Sequence, residues 1–123
     1  MKKLFGLSVC TFAFALSGQA LAHGAKAKHG GVMQSAGDLS FELVSKDGKA
    51  VIHVEDHGAD FATKGASGKL TVLAGSKKSE TLLEPTGANT LSSKTAVMLP
   101  PGTKAVASIT LPGKSPISVR FAR

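Results

Sequence analysis

Residues 39–55 read Leu39-Ser40-Phe41-Glu42-Leu43-Val44-Ser45-Lys46-Asp47-Gly48-Lys49-Ala50-Val51-Ile52-His53-Val54-Glu55. Asp-Gly between two alternating runs signals a two-residue hairpin turn, because a type I′ turn needs positive φ at both central positions. With Asp47 and Gly48 as the turn, Lys46 faces Lys49, Leu43 faces Ile52 and Phe41 faces Val54. These four apolar side chains then share one side. A slip of one residue would turn them all outward, so the pattern itself selects the register. On the opposite side Glu42 faces His53 and Ser40 faces Glu55.

Outward from this hairpin the same rhythm continues. From about Val32 onward, short alternating runs are broken by Gly, Pro, Asp and Ser. In Lys69 to Glu84, Leu70 and Val72 share a face with Thr81 and Leu83 across a Gly75-Ser76-Lys77-Lys78 turn. Leu91 to Leu99 reads as another strand or two, ended by Pro100-Pro101-Gly102, with Met98 as a core side chain. In Lys104 to Phe121, a Pro112-Gly113-Lys114 loop sets Ile109 opposite Ile117 and Ala107 opposite Val119. Asp60 to Ala66 is a loop or at most one helical turn, and no longer segment holds a 3.6-residue period. The expectation is an all-β chain: an antiparallel immunoglobulin-like sandwich of about seven short strands, with a small β-barrel as the alternative.

The chain has 123 residues, and its first 22 have the form of an export signal. Lys2-Lys3 is followed by an apolar run from Leu4 to Leu16, and Ala20-Leu21-Ala22 fits the small-x-small cleavage rule. The apolar core is well short of the roughly 20 residues of a membrane span, so cleavage after Ala22 is expected, with no stable membrane insertion afterwards. Residues 23–31 then form a flexible, His-containing N-terminal arm, and residues 32–123 one domain. The expected compartment is the bacterial periplasm.

Processing changes the composition. Taking Lys2 and Lys3 from the 15 basic residues leaves 13 against 8 acidic ones. The only cysteine, Cys10, goes with the leader, and the remaining aromatics are Phe41, Phe61 and Phe121. Without cysteine there is no disulfide scaffold, thiolate metal site or thiol nucleophile. Few aromatics and an exported location argue against nucleic-acid binding, which uses stacking platforms. The lysines are spread over turns and read as a solvated surface that guards strand edges. No Gly-x-Ser-x-Gly and no phosphate-cradling glycine loop is present, so an enzyme is not expected.

The histidines carry the chemistry. His23, His29, His53 and His57 all fall early in the processed chain. His23 would become the first residue, where its α-amine and imidazole can chelate one ion; such nitrogens suit Cu(II), and Zn(II) or Ni(II) less exclusively. His29 could add a third nitrogen. Glu42 across from His53 is the arrangement in which a carboxylate orients a metal-ligating imidazole, and also an ordinary cross-strand pair. His57, just past the strand end, is an exposed candidate beside Asp56. Met33 and Met98 are too few for a methionine-rich Cu(I) site.

His29-Gly30-Gly31-Val32, then Gly37-Asp38-Leu39-Ser40-Phe41-Glu42-Leu43-Val44, then Val54-Glu55-Asp56-His57-Gly58 form a series. It resembles the small N-terminal β-domain of periplasmic adaptor proteins of heavy-metal efflux pumps, over roughly His29 to Leu73. The resemblance implies metal handling in the periplasm, or docking to efflux components, and it falls on His29, Gly30, Gly31, Glu42 and His57. The 123 residues contain no coiled-coil hairpin and no lipoyl-like half-motif, so it extends to the β-domain alone. A weaker similarity, through His23 and the fold class, is to small periplasmic copper carriers. The expectation is therefore a periplasmic metal-binding or metal-resistance accessory protein. It would bind Cu(II) or Zn(II) through His23, His29, His53, His57 and Glu42. A metal-independent envelope interaction module is the alternative.

Overall fold

The computed structural model describes residues 26–123. The proposed leader, its cleavage site and His23 lie outside the described residues. Among the described residues the chain forms nine strands: β1 (Val32–Ala36), β2 (Leu39–Lys46), β3 (Lys49–Asp56), β4 (Ala59–Asp60), β5 (Ser67–Ala74), β6 (Lys77–Thr86), β7 (Thr90–Ser93), β8 (Lys104–Thr110) and β9 (Ile117–Ala122). No helix among them is long and apolar enough to cross a membrane.

The hairpins follow turn chemistry. Asp47 and Gly48 both take positive φ, and β2 and β3 pair in the register that alternation predicts, with Leu43 opposite Ile52 and Phe41 opposite Val54. The β8–β9 pair likewise sets Ile109 opposite Ile117 and Ala107 opposite Val119. The β5–β6 turn is tighter than expected. Ala74 pairs with Lys77, so Gly75 and Ser76 alone make it, and Lys77 and Lys78 belong to the strand. The stretch from Leu91 to Leu99 contributes one strand only. After Ser93 the chain leaves the ladder and the Val97 amide donates to the Gly48 carbonyl at 2.8 Å. Val97 and Leu99 are buried, while Met98 between them is 76% exposed, which reverses its expected place in the core.

All nine strands join one antiparallel sheet in the order β1-β2-β3-β7-β6-β5-β8-β9, with the short β4 on β3. The sheet curls until β1 and β9 lie side by side without a ladder between them. The all-β antiparallel expectation holds, and the continuous path of strands is nearly that of a small barrel. Pro85 is tolerated in β6 because the β5 ladder already ends at the Gly68–Leu83 pair, so its missing N–H costs no bond on that side. Inside, Phe41, Ile52, Val54, Leu70, Leu91, Ile109 and Val119 form one fully buried core. Its burial is the main driving force of folding.

Candidate functional site

Alternation in β2 and β3 sends Glu42, His53 and Glu55 to the outer face of the barrel. Outer-face carboxylates normally meet water. Here Glu42 is 0% exposed and Glu55 is 2% exposed, because residues 28–31 lie across them. Such burial is tolerated only when every oxygen is satisfied.

Glu42 meets that condition. Its Oε1 accepts the Lys28 backbone N–H at 2.9 Å and His29 Nδ1 at 3.0 Å. Its Oε2 accepts the backbone N–H groups of His29 and Gly31, both at 2.9 Å. Burial alone would push this carboxyl up. The bonds from the His29 ring and from the Lys28, Gly31 and His29 amides outweigh it and hold the group lowered to about 2. Glu55 is closed differently: Lys28 Nζ reaches its Oε2 at 2.9 Å and also the Gly58 carbonyl at 3.3 Å. That bond to Glu55 raises the Lys28 pKa, against desolvation, helped by the charges of Glu55, Asp60 and Glu42.

The paired glycines have a local reason. Gly30 has φ +73°, and a Cβ on Gly31 would stand 2.2 Å from the Leu43 carbonyl oxygen. Only a bare backbone can lie this close to β2 and still aim its N–H at Glu42. From Lys28 onward, the segment expected to be a flexible arm is therefore tied to the sheet.

A carboxylate can only accept, so His29 Nδ1 carries the proton, and in the neutral ring the lone pair is on Nε2, on a side chain 43% exposed. The His29 ring stacks on His53, with centroids 3.7 Å apart and planes at 5°. Burial lowers the His53 pKa from its ordinary 6.5, and repulsion by His29 lowers it further. Neutral imidazole is the metal-binding form. In the stack the in-plane lone pairs of the two rings lie in parallel planes and do not converge. An ion on His29 gains His53 as a second ligand only if that ring turns about its side-chain bonds and gives up the stack.

The expected ligands are thus sorted. His29, Glu42 and His53 come together, but Glu42 binds the 28–31 segment and orients His29, its cross-strand partner His53 being left to stack on His29. Its filled lone pairs remove it as a ligand. His57 stands apart in the β3–β4 turn at φ +50°, with Nδ1 on Asp56 Oδ1 at 2.5 Å. No group of three or more His, Cys, Asp or Glu side chains among the described residues could hold a metal ion. One participant, Lys28, escaped sequence reasoning, because it gave no signal beyond its charge. Met33 pairs with Glu42 across β1 and β2, so Met33, Glu42, His53 and Thr90 form one row over β1, β2, β3 and β7.

Beside this face, where β1 begins and β9 ends, the open seam holds a cavity of about 320 Å³. Leu43, Leu99, Ala105 and Phe121 line it, and His29 and Arg123 are at its polar part. No protein-family model matches the chain, and no curated protein or solved structure matches it significantly. The adaptor resemblance rests on its sequence motifs alone.

Proposed function

We propose that this is a periplasmic metal-binding protein that takes a transition-metal ion at His29, with His53 beside it, and performs no catalysis itself. The observation that carries the reading is the anchored His29 ring. A buried carboxylate holds its Nδ1–H, which puts the lone pair of the neutral ring on Nε2, the arrangement that raises the basicity of a metal-ligating imidazole. A binding role is favoured over catalysis because Glu42 accepts four hydrogen bonds from residues 28–31 and Glu55 is paired with the Lys28 ammonium, so both buried carboxylates serve structural contacts. Export and processing would add the His23 amine and imidazole as further nitrogen ligands. Docking to heavy-metal efflux components follows from the motif resemblance.

Titration with Zn(II) and Cu(II) tests the reading. His29→Ala should weaken binding at least tenfold and His53→Ala should weaken it less, while His57→Ala should leave it unchanged. Equal affinities in the parent and His29→Ala proteins would remove the site. A partner captured equally well in excess chelator by both proteins would favour the metal-independent interaction module.

A further inference from the structure

The cavity in the open seam is used by the histidine reading only at its edge. It exists because β1 and β9 come side by side without a ladder, which leaves the barrel open where β1 begins and β9 ends. Buried apolar side chains of Leu43, Leu99, Ala105 and Phe121 wall it. At about 320 Å³ it lies at the small end of the roughly 300–1,000 Å³ that holds organic ligands, and barrel mouths are common places for such sites. No Asp or Glu side chain lines it, while Arg123 does. Arg123 is fixed there. Its N–H donates to the Thr103 carbonyl at 2.9 Å, its carbonyl accepts from the Gly102 N–H at 2.8 Å, and its Nη1 donates to the Leu99 carbonyl. A guanidinium carries several N–H donors in a planar fork, so the rest of that fork can take an anion. The His29 Nδ1–H is spent on Glu42, which leaves Arg123 as the cation of this edge.

The charge around the cavity has the same sign. Strand pairing brings the β2–β3 turn, the β5–β6 turn and the start of β8 to this end of the barrel. Exposed Lys46, Lys49, Lys77, Lys78, Lys94 and Lys104 stand there, and Asp47 is the one acid in those turns and in the segment 94–104. At the opposite end Asp38, Asp56 and Asp60 outnumber Lys64 and Lys114. A field of one sign at a cavity mouth concentrates counter-ions and speeds their capture. We propose that the seam cavity binds a small amphipathic anion, an apolar chain ending in a carboxylate, of the medium-chain fatty-acid class. Its chain lies against Leu43, Leu99, Ala105 and Phe121, and its headgroup is held by Arg123. Apolar walls alone would accept any oily ligand, and the fixed guanidinium selects the charged one. The site does not depend on the metal-binding reading, because neither Arg123 nor the apolar walls belong to the metal ligands.

The test adds decanoate, in excess chelator, to protein isolated from cells producing the full chain. The methyl resonances of Leu43 and Leu99 should shift saturably, while those of exposed Leu73 and Leu82 should stay in place. Acetate, which has no chain, should shift none of them. 1-Decanol, which has no charge, should bind roughly tenfold more weakly than decanoate. Arg123→Gln keeps a donor for the Leu99 carbonyl and removes the charge, so it should weaken decanoate by that factor and leave decanol unchanged. Ser45→Phe, at the exposed rim of the cavity, should exclude both ligands while the β2–β3 amide pattern stays intact. Decanoate bound no more tightly than decanol, or parental decanoate affinity in either variant, overturns the inference. So does a lack of saturable shifts at Leu43 and Leu99. If the protein in that case still binds vesicles of anionic phospholipid, the basic end is a membrane-facing surface and not the entrance to a ligand site.

Discussion

Replacing Glu42 by Gln keeps the shape of the side chain and removes its charge. The carboxylate accepts two N–H donors on each oxygen. Whichever way the amide is turned, its NH₂ group faces two donors and leaves them unpaired, the costly case for a buried site. The magnitude follows from linkage. A carboxyl lowered from 4.5 to about 2 in the folded chain contributes about 3 kcal/mol near neutral pH. The folded value lies below the unfolded one, so this contribution is complete above about pH 4.5 and is lost as pH falls toward 2. Glu42→Gln cannot titrate there. Urea denaturation at pH 7 should show a loss of about 3 kcal/mol, with a melting temperature lower by roughly 12–24 °C. The two stability curves should converge between pH 4.5 and 2. Amide exchange at Lys28, His29 and Gly31 should accelerate, because these N–H groups lose their acceptor. Stability within 0.5 kcal/mol of the parent, with unchanged exchange at those amides, would refute the reasoning.

Other consequences are equally direct. Gly31→Ala forces a Cβ to within 2.2 Å of the Leu43 carbonyl oxygen, so residues 28–31 should lift from β2. A loss of roughly 1–3 kcal/mol in denaturation and shifted Lys28 and His29 amide resonances would show it. Ile52→Ala removes a fully buried side chain from the core and should cost about 2–5 kcal/mol in urea, with little change in slope. His57→Asn puts a residue tolerant of positive φ at the φ +50° position of the β3–β4 turn. Calorimetry should find the melting temperature unchanged or higher, and titration should find metal affinity unchanged.

Some of this was legible from single residues. Asp47-Gly48 and the alternation of Phe41, Leu43, Ile52 and Val54 specified a hairpin, its register and its inner face, and Pro112-Gly113-Lys114 did the same for β8 and β9. Turn chemistry and a two-residue period act between neighbours, so the information is local. Met98 shows where locality stops. It follows the apolar rhythm of Val97 and Leu99, but that segment leaves the ladder to cross the Asp47-Gly48 turn, and Met98 faces water. Lys28 shows the same limit from the other side. It lies in a segment of ordinary composition and becomes notable only through its bond to Glu55 on β3.

The sequence by itself determined that the chain is all-β, and for the β2–β3 and β8–β9 hairpins which residues turn and which side chains point inward. It also put Glu42 and His53 opposite each other. Only the tertiary structure decided that β7 enters between β3 and β6, that β1 and β9 come side by side, and that Glu42 spends its charge on Lys28, His29 and Gly31. Those outcomes depend on how a twisted sheet curls and where a preceding segment lands on its outer face. Contacts between distant segments balance loop-closure entropy against burial across the whole molecule. The stacked pair of His29 and His53 is set by that balance, and with it the placement of any ion they hold.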